Sequence, residues 1–190
     1  MASGQGRRAP NSTMTGMAIT PDTKNWTWVL ERTCPDCGFD SANVRYEDIP
    51  DLVRANATAW VPVLERPEVT VRPDEQTWSA LEYAAHVRDV FRIFDVRLQS
   101  MLGERDPLFP NWNQDETAVA ERYNEQDPGM VGRELVEAAD SVAAAFEAVE
   151  VEVERRDRTG RRSDGASFTV ESLAKYFIHD PIHHLHDVSG

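Results

Sequence analysis

The chain has 190 residues, 41% of them hydrophobic and 28% charged, a balance that suits one globular domain with a sizeable core. Its net charge of −13 argues against non-specific binding to nucleic acid, whose phosphates reward basic surfaces. The sequence has no apolar run of about 18 residues to span a membrane, and its N-terminus, MASGQGRRAPNSTMTGMAIT, lacks the apolar stretch of a signal peptide, so a cytoplasmic protein with neither membrane nor nucleic-acid partner is expected.

Residues 1–24 are rich in Ser, Thr, Gly, Pro and Arg with little apolar periodicity, which predicts a disordered tail before a single domain over 25–190. A first helix is predicted over 47–65, where Pro50 suits an initial turn and Leu52, Ala55, Ala59, Trp60 and Val63 form an apolar face. The second, to about Leu102, opens on a capping box formed by Ser79 and Glu82. Leu81, Ala84, Ala85, Val87, Val90, Phe91, Phe94 and Leu98 follow at helical spacing. A long connection, 103–129, carries a short helix from Asp115 to Tyr123. A third main helix spans 130–149, a polar loop with a short β-hairpin covers 151–168, and a fourth helix runs from Val170 to Val188 with Thr169 as its N-cap. Four main helices with one long crossover predict an all-α four-helix bundle, an architecture that builds metal sites from side chains on facing helices.

The chain has five histidines, and the stretch HDPIHHLHD at 179–187 holds all but His86. At about 100° per residue, His179, His183 and His186 fall on one face of the fourth helix, and His184 points about 140° away from His179. An H-x-x-x-H pair on one turn suits two imidazoles on a single ion. His86, on or beside the buried stripe of the second helix, is the natural third donor. Pro181 cannot donate to the carbonyl of Phe177, and a bend between His179 and His183 is expected.

YAAHVRDVFRIFDVRL and SLAKYFIHDPIHHLHDV together resemble the motifs of the DinB-like superfamily. The resemblance covers about residues 26–190 and implies an up-down-down-up bundle, commonly a homodimer, that holds a divalent metal through His86, His179 and His183. It also implies that Asp187 orients a ligand. His186, where relatives have small residues, becomes a possible fourth ligand or a contact to water or substrate.

Cys34 and Cys37, in CPDCGF, form half of a zinc site at C-x-x-C spacing. Three readings are open: a plain loop with reduced thiols, a zinc site completed by His184, His186 or a second subunit, and a redox pair, although the βαβ setting of the last is missing.

Imidazole donors suit zinc, nickel, iron or copper. A divalent ion with open positions lowers the pKa of bound thiol or water. The superfamily includes thiol-dependent transferases and the mycothiol-dependent maleylpyruvate isomerase. Arginine outnumbers lysine 18 to 2, as in GC-rich coding, and an actinobacterial source would make mycothiol the thiol. The leading expectation is therefore a thiol-dependent S-transferase acting on a small electrophile, with zinc, nickel or iron as metal and mycothiol as cosubstrate. A metal-dependent hydrolase and a non-catalytic metal-binding protein are the alternatives. Tyr83 and Arg88 lie near the motif, where packing and surface pairing account for them.

Overall fold

The computed structural model describes Ile19, residues 25–150 and residues 153–189. The tail expected over 1–24 lies, Ile19 apart, outside the described residues. Five α-helices form within them: α1 (Ile49–Leu64), α2 (Ala80–Gly103), α3 (Gln114–Ala120), α4 (Pro128–Glu150) and α5 (Val170–Asp187). A two-stranded antiparallel hairpin, β1 (Thr159–Arg161) and β2 (Ser167–Thr169), leads into α5. Among the described residues, no helix is long and apolar enough to cross a membrane.

The helix starts are set locally. Ser79 caps α2 by accepting from the Glu82 N–H, and the Glu82 carboxylate accepts from the Ser79 N–H at 2.8 Å. Thr169 and Ser172 make the same reciprocal arrangement at the start of α5. The short helix expected at 115–123 is divided into α3 and a 3-10 turn at Tyr123–Glu125.

Cross-helix contacts fix the topology. Arg88 on α2 reaches Glu134 on α4 at 2.9 Å, and further along Ser141 donates to Asp95 at 2.8 Å, so α2 and α4 run in the same direction. On α1, Arg54 meets Glu147 at 2.6 Å, whereas Leu64 lies against Gly132, so α1 and α4 are antiparallel. Asn56 donates to the Pro181 carbonyl at 2.8 Å and Arg66 to that of Val188 at 2.7 Å, which makes α1 and α5 parallel. His86 faces Asp180 while Phe94 stacks on Phe177 at 4.9 Å, so α2 and α5 are antiparallel. In chain order the four long helices run up, down, down, up. Two consecutive helices pointing the same way require the chain to return along the bundle, and the long segment carrying α3 makes that return.

The core is built where all four helices meet. Phe177 stacks on Phe94 and, at 5.7 Å, on Phe146. Trp60 is fully buried and satisfies its indole N–H by donating to Asn56 at 3.2 Å. The hairpin presses on the crossover: a Cβ at Gly160 would come within 2.4 Å of Phe109, so only glycine allows the close approach. α5 continues as an α-helix through Pro181 to Asp187.

Candidate metal centres in one cleft

α5 carries donors at consecutive positions, so a helical rise of about 100° per residue produces two stripes on adjacent faces. One holds His179 and His183, the other Asp180 and His184. Each stripe is an i, i+4 pair, and each meets donors from a different part of the chain.

The second stripe faces α2. His86, Asp180 and His184 each place a donor atom within 4.8 Å of the others. The Asp180 carboxylate oxygen Oδ1 lies 3.4 Å from His86 Nε2 and 3.8 Å from His184 Nε2. These are too long for hydrogen bonds, yet they approach the separation of about 3.4 Å between two donors that share one tetrahedral ion at 2.0–2.1 Å. Asp187 accepts or shares a proton at 3.0 Å from His184 Nδ1, which turns Nε2 towards Asp180. Trp112 stacks on the His86 ring at 5.4 Å and 11°, and Trp78 covers another side at 5.3 Å.

The first stripe faces the N-terminal segment. Cys34, Cys37, His179 and His183 also place their donors within 4.8 Å of one another. Cys34 Sγ lies 3.6 Å from His183 Nδ1. Trp26 packs against the His179 and His183 rings at 5.4 and 5.0 Å, and Phe39 against His179 at 5.4 Å.

Among the described residues, the buried side-chain atoms without a hydrogen-bond partner are both ring nitrogens of His86, His179 Nε2, Asp180 Oδ1 and Arg156 Nε. All but the last belong to these two clusters. Buried polar atoms are normally satisfied, and ion-ligating positions are where such atoms find their partner. The residues therefore fit a metal at both places.

The electrostatics agree. Burial, and then His183, depress the His179 pKa to about 4, which keeps this imidazole a neutral donor at neutral pH. Burial also lowers His183. Burial works to raise Asp180, but the imidazoles of His184 and His86 outweigh it and hold the carboxylate ionised well below the ordinary range. Burial pushes the Cys37 thiol up to about 11, so without a cation it stays protonated.

The triad expected from the sequence, His86, His179 and His183, is thus divided between two clusters. His184 lies off the His179/His183 face, as its helical angle predicts, but faces His86, and Asp180, which the sequence reading did not name, stands with them. The signal for Asp180 and His184 was available, since D-x-x-x-H has the same i, i+4 spacing as H-x-x-x-H. What the sequence lacked was the rotation of α5 about its axis. His86 lies on the α2 face that meets the 180/184 stripe, and the CPDC turn covers the other. Cys34 and Cys37 stand beside His179 and His183, not beside His184 or His186, the partners within the chain that a zinc reading of the CPDC turn named. His186 is exposed and belongs to neither cluster. Arg88 pairs with Asp89 and Glu134 inside the α2–α4 contact, away from the cleft.

Both clusters open on one cleft of about 780 Å³. Tyr83, Trp112 and Trp26 line it near the donors. Further along α2 and α5 it is lined by Arg97, Arg162 and Tyr176. Arg162 donates to the Tyr176 hydroxyl at 2.8 Å and pairs with Asp164. Arg97 lies 4.9 Å from the Phe94 ring and 5.6 Å from Phe109; among the described residues no carboxylate pairs with it.

A sequence profile of the DinB superfamily matches residues 51–188, and the chain belongs to that superfamily. No curated protein matches it. Among solved structures it is similar to YfiT from Bacillus subtilis, described as a probable metal-dependent hydrolase with an unusual four-helix bundle topology. The identity is 18% and the TM-score 0.62, over 76% of this chain and 83% of that one. A likeness of that depth speaks for the fold.

Proposed function

We propose that this member of the DinB superfamily is a metal-dependent enzyme in which His86, Asp180 and His184 hold a catalytic divalent ion. The observation that carries the reading is a pair of buried donor atoms without hydrogen-bond partners, His86 Nε2 and Asp180 Oδ1, 3.4 Å apart, where Asp180 and His184 line a large cleft. Two imidazoles and one carboxylate leave an ion with open positions, where it would lower the pKa of a thiol or water.

The favoured reaction is transfer of a low-molecular-weight thiol, of the mycothiol type, to a small electrophile. A cleft of about 780 Å³ has room for a thiol cosubstrate and an acceptor together. Tyr83, Trp112 and Trp26 give the cleft an aromatic wall beside the donors, which would favour an apolar part of the acceptor. Arg97, with no carboxylate partner among the described residues, suits an acceptor bearing an anionic group. Asp187 fixes the tautomer and orientation of His184.

A hydrolase is the second reading, favoured by the donor chemistry itself, since two histidines and a carboxylate also serve zinc peptidases. The test is turnover of electrophile panels with and without mycothiol or glutathione, before and after chelation and reconstitution with zinc, nickel or iron. Conjugation that needs both thiol and metal supports the transferase. Metal-dependent turnover without thiol supports the hydrolase. A fully reconstituted protein inactive in both assays removes both readings.

A further inference from the structure

The geometry points to a second metal site of different chemistry: Cys34, Cys37, His179 and His183 bind one zinc-class ion that fastens the N-terminal segment to α5. This holds whether or not the His86 cluster is catalytic.

Four donors of two soft and two borderline types converge within 4.8 Å, the number and kind that close a structural zinc site. A tetrahedral ion with bonds of about 2.3 Å to sulfur and 2.0–2.1 Å to nitrogen separates one S and one N donor by about 3.6 Å. Cys34 Sγ and His183 Nδ1 stand 3.6 Å apart. His179 is 3% exposed, and its Nε2 has no partner. The cysteines are free rather than bridged.

The local chain is preformed for chelation. Cys34 N–H donates to the Phe39 carbonyl at 2.8 Å, and Gly38 N–H donates to the Cys34 carbonyl at 2.9 Å. Gly38 has φ +75°, which lets the loop fold back so that both sulfurs face α5. The four donors leave no open position, so this ion has a structural role. On binding, each thiol gives its proton to solvent and the sulfur becomes an anionic ligand.

Half of this donor set lies outside the superfamily match, which begins at residue 51. Two of the four donors are therefore supplied by the segment before α1. Its consequence is local: Trp26 packs on the rings of His179 and His183 and lines the cleft. The ion would hold one wall of the cleft in place.

The test is cobalt reconstitution of the full chain in buffer free of added thiol, read by absorption. Wild type and His184→Ala should both show a sulfur-to-cobalt charge-transfer band, and Cys34→Ser/Cys37→Ser should lose it together with one ion per chain. A wild type without the band overturns the proposal. Loss of the band in His184→Ala shows that the cysteines share the other ion, which overturns it too. If the double serine variant does not fold, X-ray absorption of the zinc-loaded wild type decides. With both sites filled it should give an average of one sulfur ligand per ion, and the absence of sulfur scattering refutes the site. Chelation of the wild type should raise hydrogen exchange in residues 25–39 by about tenfold or more relative to the core of α2 and α4; unchanged exchange there rules out the fastening role.

Discussion

His183 and His184 are neighbours in sequence, their rings lie 5.8 Å apart and nearly perpendicular at 82°, and they face different donor clusters. One peptide unit thus separates an imidazole directed at two cysteines from an imidazole directed at His86 and Asp180. A helix that advances about 100° per residue makes this division unavoidable.

The first prediction follows from that division. His184→Ala should remove the ion of the His86 cluster and abolish turnover. His186→Ala should alter neither metal content nor activity, because His186 is exposed and outside both clusters. Elemental analysis and turnover measured on the same samples check this. A His186→Ala protein lacking metal would return the site to the 179/183/186 face.

Asp187 lies 3.0 Å from His184 Nδ1 and supports this donor of the His86 cluster, whereas its other oxygen stands 3.7 Å from His183 Nε2, beyond hydrogen-bond distance. Asp187→Asn should weaken metal retention by about 10–100-fold, the usual cost of losing such support. Competition with a chelating dye gives the affinity. An unchanged affinity would mean that His184 is oriented by its packing against Tyr83 and His86 alone.

Arg97→Met keeps the aliphatic packing over Phe94 and Phe109 but removes the charge. If the acceptor is anionic, its KM should rise about 10–100-fold, matching the 1.5–3 kcal/mol of a charged hydrogen bond. A neutral analogue of the same acceptor should be unaffected. Equal effects on both would assign Arg97 a structural role.

Glu82 gives the bundle an acid-sensitive element. Burial works to raise its pKa, but hydrogen bonds from Arg72 and Ser79 outweigh burial and hold it below the ordinary 4.5. A carboxylate whose pKa is lower folded than unfolded contributes stability above the unfolded value, and that contribution is lost as the pH falls through the folded one. Glu82→Gln should cost about 1–3 kcal/mol at neutral pH, discounted because Arg72 is partly exposed. The gap between wild type and variant should begin to close near pH 4.5 and go on closing below it. Thermal melts of both proteins across that range give the answer; a gap that does not vary with pH would point to packing instead.

The sequence by itself determined the helices, because their signals are local. The Ser79–Glu82 and Thr169–Ser172 boxes mark the starts of α2 and α5, and apolar residues at helical spacing define the buried faces. It also singled out the chemistry: His86, the histidines of α5 and the CPDC turn all belong to donor clusters, His186 excepted. Only the tertiary structure decided the partners. Two i, i+4 pairs, 179/183 and 180/184, are equally plausible as ligands on a lone helix. The choice depends on how α5 is rotated against α2 and on what covers its other face. That rotation is set by non-local packing, such as Phe177 between Phe94 and Phe146 and Asn56 at the Pro181 carbonyl. No spacing within residues 179–187 encodes those contacts, so one motif divides into two donor clusters only when the bundle closes around it.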